Sequence, residues 1–188
     1  MKYYLVVPIL AAFILAGCSK ENSIVGPPSQ QTQAKREWIK INTAATLAVE
    51  NSYTASKSIE GSKGGTINLT QVYKSNGQWA IVTAKLSIPQ GAFSGTKVIS
   101  YTVNTDNASI SFSPSPQSFQ KNLSLDLTFT GVNLAGVDVS KLAFSYLDGS
   151  TIVPAKFTYV NANIAQGLLV VIGAQLSHFS MYGWSTLD

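Results

Sequence analysis

Short segments of alternating apolar and polar residues, separated by turn signals, recur from Ser56 to the end of this 188-residue chain. A period of two puts successive side chains on opposite faces of a strand, so each segment predicts a strand with one buried face. Asn76-Gly77 and Asp148-Gly149 each separate two such runs, and these dipeptides accept the positive φ angles of tight hairpins. We therefore predict an all-β fold, a single antiparallel β-sandwich.

The individual strands follow from the same alternation. The segment 66–70 alternates with period two, and the runs 71–73 and 79–82 lie on either side of Asn76-Gly77. We expect further strands at 97–103, 109–112, 123–130, 142–147, 155–159, 168–173 and 176–184. The preceding segment, 37–55, is ambiguous. Trp38, Ile39 and Ile41 could begin a strand, whereas the apolar residues of 44–48 could form a short helix.

The N-terminus has the layout of an export signal. Lys2 provides a short basic start, and the apolar run 5–15 is too short to be a permanent membrane span. The sequence Leu15-Ala16-Gly17-Cys18 resembles the lipobox of bacterial lipoproteins. In such proteins the peptide is cut before the cysteine, and the thiol carries a diacylglyceryl group. Cys18 is the only cysteine, so an internal disulfide is excluded.

This resemblance implies a lipid-anchored protein of the bacterial cell envelope, held at the membrane through Cys18. Ser19 after the cysteine implies sorting to the outer membrane in a Gram-negative host. The alternative is an ordinary secretory signal with a coincidental cysteine or a buried free thiol. The expected organisation is a signal peptide at 1–17, a lipidated cysteine and flexible tether at 18–36, the open segment 37–55 and the sandwich at 56–188. The tether contains Gly26-Pro27-Pro28 and a polar string that has almost nothing to bury.

Composition argues against several classes of partner and site. The chain has 13 basic and 9 acidic residues, scattered and without an arginine cluster, so we expect no nucleic-acid partner. One histidine and a lipidated cysteine cannot supply the ligands of a zinc site, and we expect no metal or cofactor. No two carboxylates are closely spaced as in a glycosidase pair. The glycines of 61–65 suggest a phosphate loop only superficially, because no helix follows them, and we interpret them as a turn.

Three segments resemble parts of the ZU-five β-sandwich domain found in ankyrins and netrin receptors. They are Gly64-Gly65-Thr66-Ile67, the strand 82–93 with its ending Ile88-Pro89-Gln90-Gly91-Ala92-Phe93, and the closing segment 177–183. In the second segment Pro89 should end the strand because it lacks a donor, and Ala92 and Phe93 should return to the core. The resemblance covers about 56–184 and implies an interaction domain. A generic Greek-key sandwich is the alternative, although the Cys…Trp…Cys framework of antibody domains is absent.

The closing segment contains His178-Phe179-Ser180, a triplet that marks self-cleavage in some relatives with the ZU-five fold. There the serine hydroxyl attacks the preceding carbonyl, which here would cut the chain between Phe179 and Ser180. In a continuous strand His178 and Ser180 would share a face, and histidine commonly accepts a serine proton near neutral pH. The alternative is plain strand packing, with Phe179 in the core.

The tryptophans Trp38, Trp79 and Trp184 could form a carbohydrate-stacking face or could lie in the core or an interface. Our leading hypothesis is a non-enzymatic, lipid-anchored envelope module that engages a protein or glycan, or that serves as a structural spacer. The second hypothesis is an autoproteolytic domain that uses His178 and Ser180.

Overall fold

The computed structural model describes residues 35–41 and 52–188, which form two antiparallel β-sheets around one hydrophobic core. This confirms the all-β sandwich. A single 3-10 turn, at Val139–Lys141, interrupts the strands of the described residues. The strands are β1 (Arg36–Trp38), β2 (Ser52–Glu60), β3 (Gly65–Ser75), β4 (Gln78–Ile88), β5 (Thr96–Asn104), β6 (Ser109–Ser113), β7 (Ser118–Thr130), β8 (Ala143–Asp148), β9 (Thr151–Pro154), β10 (Tyr159–Asn163), β11 (Leu168–His178) and β12 (Met181–Leu187).

The two sheets contain seven and five of the described strands. The seven-stranded sheet has the order β2-β5-β6-β12-β8-β9, and β1 also pairs with β12. The five-stranded sheet has the order β10-β11-β7-β4-β3. One edge of β12 is shared, because its residues 181–183 pair with β6 and its residues 185–187 pair with β1. The C-terminal strand β12 therefore lies in the middle of the seven-stranded sheet and holds the N-terminal strand β1 there.

The core lies between the sheets, where every second side chain of each strand is buried. In β4 the even-numbered residues from Ala80 to Ile88 are buried, and their odd-numbered neighbours are mostly exposed. Tyr101 of β5 crosses the core and donates its hydroxyl to the carbonyl of Ala84 at 3.1 Å. Burial raises the pKa of Tyr101, so the phenol stays neutral and hydrogen-bonded inside the sandwich.

Both predicted hairpin turns are confirmed. Asn76 and Gly77 have φ angles of 51° and 79°, and they connect β3 to β4 in full register. Gly149, with a φ angle of 58°, lies between β8 and β9. The φ values near Asn76 are those that the mirror-image hairpin turns require.

The glycine segment 61–65 is a turn, as expected, and it packs against the end of β4. The Gly64 amide donates to the carbonyl of Glu60 at 2.9 Å, and the Gly91 amide donates to the carbonyl of Gly61 at 2.7 Å. A Cβ at Gly64 would lie 2.4 Å from the carbonyl oxygen of Ile88. β4 ends at Ile88, and Ala92 and Phe93 are buried, as the sequence predicts.

Two predicted strand positions are wrong. Residues 155–158 are not in a strand; β10 begins at Tyr159, and the short strand β9 at Thr151–Pro154 precedes them. The predicted strand 176–184 is divided into β11 and β12, which lie in different sheets. The division has a physical reason. The buried side chain of Phe179 breaks the even-numbered alternation of Leu176, Tyr182 and Trp184, so one straight strand cannot bury all four.

The open segment 37–55 contains parts of two strands, since β1 ends at Trp38 and β2 begins at Ser52. Ile39 and Ile41 are buried. The amide of Ile39 donates to the carbonyl of Trp184, and that of Ile41 donates to the carbonyl of Asp106. The helical alternative at 44–48 lies outside the described residues, as do the signal peptide at 1–17, Cys18 and the tether up to residue 34.

Candidate functional site

The triplet His178-Phe179-Ser180 lies where the chain leaves the five-stranded sheet and enters the seven-stranded one. β11 ends at His178 and β12 begins at Met181. The pairing of β11 with β7 also shifts register between Leu176 and His178. The expectation that His178 and Ser180 share one face of a continuous strand is therefore wrong, because no continuous strand joins them.

Phe179 is the structural centre of this junction. Its side chain is 1% exposed, stacks on Phe112 with ring centroids 5.0 Å apart, and meets Phe119 edge-on at 4.7 Å. Its amide donates to the carbonyl of Gln117 at 2.7 Å. Its carbonyl oxygen accepts a hydrogen bond from the Ser115 hydroxyl at 3.2 Å. The predicted core position of Phe179 is thus confirmed, and both of its backbone polar groups have partners.

The Ser180 hydroxyl donates to the carbonyl of Leu147 in β8. This bond crosses between neighbouring strands of the seven-stranded sheet, where Tyr182 pairs with Tyr146 one step further along. The proton of Ser180 is therefore directed at a neutral carbonyl oxygen. This hydrogen bond stabilises the start of β12 beside β8.

The His178 ring has different neighbours. Its Nδ1 lies 3.1 Å from the Ser177 hydroxyl, and the ring meets Tyr146 at 5.3 Å between centroids. The Tyr182 hydroxyl donates to the His178 carbonyl at 3.0 Å. Burial, with a smaller contribution from Tyr146, raises the pKa of Tyr182, so this donor stays protonated. Among the hydrogen bonds of residues 35–41 and 52–188, none joins His178 to Ser180.

The chemical capacity of the triplet follows from these contacts. Attack by Ser180 on the Phe179 carbonyl needs a base for the hydroxyl proton and donors for the developing oxyanion. Ser115 is one such donor, already bonded to the oxygen concerned. The imidazole, however, is hydrogen-bonded to Ser177 and not to the attacking hydroxyl.

A second group of residues, not singled out together by the sequence, surrounds strand β1. Two surface grooves of about 470 and 420 Å³ flank it, and both are lined by Lys35, Arg36, Trp38 and Ile152. Lys40 lines the second groove. We call this region the β1 groove. It unites a half-buried tryptophan with three cations.

A third feature is an exposed apolar cluster on the outer face of the five-stranded sheet. Trp79 is 69% exposed, Val72 50% and Ile81 42%. Val72 and Ile81 are directly opposite each other in the β3–β4 pair, and Trp79 is opposite Lys74, whose ammonium lies 5.2 Å from the indole centroid. We call Val72, Trp79 and Ile81 the outer-face patch.

The three tryptophans thus have three different environments. Trp184 is 1% exposed and belongs to the core, Trp38 lines the β1 groove, and Trp79 lies in the outer-face patch. A single stacking face made of all three is therefore wrong. The buried Trp184 packs edge-on against Phe144 at 6.0 Å.

Two absences among the described residues bear on other kinds of site. Over 35–41 and 52–188, no three His, Cys, Asp or Glu side chains come together in a way that could hold a metal ion. In the same ranges, no helix has the length and apolar character needed to cross a membrane. Cys18 lies outside these ranges, so its lipidation stays a prediction.

Comparison with known proteins yields no relative. No family model, no curated protein and no solved structure matches the chain. The similarity to the ZU-five domain and to bacterial lipoproteins therefore stays a prediction from the quoted motifs.

Proposed function

We propose that this chain is a lipid-anchored protein of the bacterial cell envelope whose β-sandwich is a non-catalytic module that binds another protein. The anchor is supported by Leu15-Ala16-Gly17-Cys18 behind a basic and apolar leader. The binding role is supported by one structural observation, the outer-face patch. Contiguous exposed apolar surface on a soluble domain commonly marks an interaction site.

The geometry of the outer-face patch suits a protein partner. Its three side chains project from the adjacent strands β3 and β4, where Ile81 lies two residues from Trp79 on the same face and Val72 lies directly opposite Ile81. Aliphatic side chains around a tryptophan provide apolar area that protein side chains can cover. Beside them Thr70, Thr83 and Thr128 align across three strands and provide a polar rim. A glycan would need mainly the aromatic ring, so the aliphatic pair favours protein.

Site-specific photo-crosslinking in intact envelopes tests this proposal. A photoreactive residue at Thr83, beside the patch, should give a discrete protease-sensitive adduct. The matched position is Val98, which is 65% exposed on β5 of the other sheet and should give none. Trp79→Ala should abolish the adduct formed from position 83.

Three outcomes would contradict the proposal. The first is the absence of any adduct at position 83 in membranes that retain the protein. The second is an adduct that survives Trp79→Ala. The third is an adduct that resists protease and is removed by glycosidases, because it would replace the protein partner with a glycan.

Self-cleavage between Phe179 and Ser180 is the second candidate, favoured by the hydrogen bond from Ser115 to the Phe179 carbonyl oxygen. In that reaction the Ser180 oxygen bonds to the carbonyl carbon, the C–N bond breaks and the amine takes a proton. Water then hydrolyses the ester. Under the leading proposal, protein incubated at pH 6 to 8 keeps its full mass, as does Ser180→Ala. A fragment beginning at Ser180, absent from Ser180→Ala and reduced in Ser115→Ala, would establish the second candidate instead.

A further inference from the structure

We propose that the β1 groove is a contact site for anionic phospholipid headgroups of the membrane to which the chain is anchored. The inference rests on the proposed function, since it takes Cys18 to be lipidated. It concerns a separate surface from the outer-face patch and is carried by the chemistry of the groove and by its place in the chain.

The chemistry of the groove matches a membrane interface. Lys35 and Lys40 are exposed, and Arg36 and Trp38 are half-buried beside them. Tryptophan is enriched at the headgroup level of bilayers, where its ring is in apolar surroundings and its N–H is solvated. Lysine and arginine are attracted to anionic lipid surfaces. One strand therefore presents both groups that such a surface selects.

The groove is held firmly enough to act as a preformed surface. β1 pairs with β12, and the side chains of Ile39 and Ile41, which follow β1, are buried in the core of the sandwich. The Arg36 guanidinium donates to the Ser185 hydroxyl at 3.4 Å. The backbone that carries the cations, in β1 and the residues next to it, is therefore fixed, and little backbone entropy is lost when they meet a surface.

The charge around the groove is only weakly positive, which sets the strength of the contact. Glu37 pairs with Lys35 at 3.2 Å, and the amide of Asp188 donates to the Lys35 carbonyl. In the part of the chain that the structure describes, Lys40 makes no ion pair. Three cations, one of them paired with Glu37, give an attraction that is too weak to hold a free protein at a bilayer. The same attraction is sufficient when an anchor keeps the surfaces close together.

The position of the groove supplies the second argument. Residues 19–34 alone separate Cys18 from Lys35, and the chain between these two residues spans at most about 60 Å when fully extended. Lys35 is therefore the described residue whose distance from the acylated cysteine is most restricted. The β1 groove begins at that residue, so a lipid on Cys18 keeps the groove within about 60 Å of the membrane surface.

Fluorescence quenching by brominated phospholipids tests the proposal with the mature acylated protein reconstituted in vesicles. The difference between the wild type and Trp38→Phe isolates the signal of Trp38 from that of the other tryptophans. We expect Trp38 to be quenched in vesicles of phosphatidylcholine with phosphatidylglycerol. In phosphatidylcholine alone, or in 0.5 M salt, the quenching should fall at least about fivefold, because the attraction is electrostatic.

Charge variants make the test specific. Lys35→Gln with Lys40→Gln removes two exposed cations of the groove and should abolish the quenching. Lys85→Gln with Lys141→Gln removes two exposed cations elsewhere and should leave it unchanged. Protein without acyl mass on Cys18 would overturn both the anchor and this inference. Acylated protein whose Trp38 is unquenched, or is quenched equally with neutral lipid, would overturn this inference alone.

Discussion

The substitution Phe179→Ala tests whether the His-Phe-Ser triplet is primarily a structural junction. The Phe179 ring is 1% exposed and contacts Phe112 and Phe119 at centroid distances of 5.0 and 4.7 Å. Truncating a fully buried phenylalanine to alanine costs about 3–5 kcal/mol, and edge-on or stacked ring pairs are included in that figure. A domain with ~5–15 kcal/mol of stability would lose a large share of it.

Urea unfolding of the mature chain measures this loss. With a slope of about 2 kcal/mol per molar urea, the midpoint should fall by about 2 M without a change in slope. Phe157→Ala is the matched control, because Phe157 is 38% exposed and should lose less than about 1 kcal/mol. If Phe179→Ala lost no more than Phe157→Ala, Phe179 would not be the packing centre of the junction, and our account of why the strand divides there would fail.

Three further predictions concern turns, tyrosine ionisation and the outer-face patch. Gly64→Ala should lose at least about 2 kcal/mol of unfolding free energy and Gly77→Ala about 1 kcal/mol. Both have positive φ, but only a Cβ at Gly64 meets a carbonyl oxygen, at 2.4 Å; equal losses would contradict this reasoning. Burial raises the pKa of Tyr101 above about 10, the value of an unperturbed tyrosine. The contribution of the neutral phenol to the free energy of unfolding should therefore be fully present below about pH 10 and should be lost as the pH rises above it. Tyr101→Phe should flatten that fall, and an equally steep profile would refute the assignment. Trp79→Ala should change the unfolding free energy by no more than about 0.5 kcal/mol, since the ring is 69% exposed; a loss above about 2 kcal/mol would mean that Trp79 supports the fold.

The strands and hairpins that depend on local sequence could be predicted. Asn76-Gly77 determines its turn through the φ angles of two residues, and from Trp79 to Ile88 the buried side chains of β4 alternate with exposed or half-buried ones. The end of β4 at Ile88 follows from Pro89, which has no amide hydrogen for the next rung of the ladder. In each case the cause lies within a few residues of the effect.

Features set by distant partners could not be predicted in the same way. β2 at Ser52–Glu60 is polar and mostly exposed, because it lies at the edge of its sheet with a single neighbour, β5. The division at Phe179 had a sequence signal, the change from even to odd positions of the buried side chains. That signal can be interpreted only once it is known that the residues before Phe179 pair in one sheet and the residues after it pair in the other.

The candidate sites divide along the same line. The Cys18 motif is local, so its prediction rests on four consecutive residues, and Cys18 itself lies outside the described residues. The β1 groove depends on the pairing of Arg36–Trp38 with residues 185–187, at the far end of the chain. The sequence around Arg36–Trp38 does not predict that pairing. The separation of His178 from Ser180 likewise depends on where Leu147 and Ser177 lie, so the sequence could identify the triplet but not its hydrogen bonds.

The central claim, a lipid-anchored and uncleaved β-sandwich, is tested most directly by the intact mass of the protein purified from bacterial membranes under denaturing conditions. We predict a single chain that begins at an acylated Cys18 and ends at Asp188. A mass that retains residues 1–17, or that lacks acyl groups on Cys18, would contradict the anchor. A chain that ends at Phe179, with residues 180–188 recovered as a peptide, would contradict the non-catalytic module.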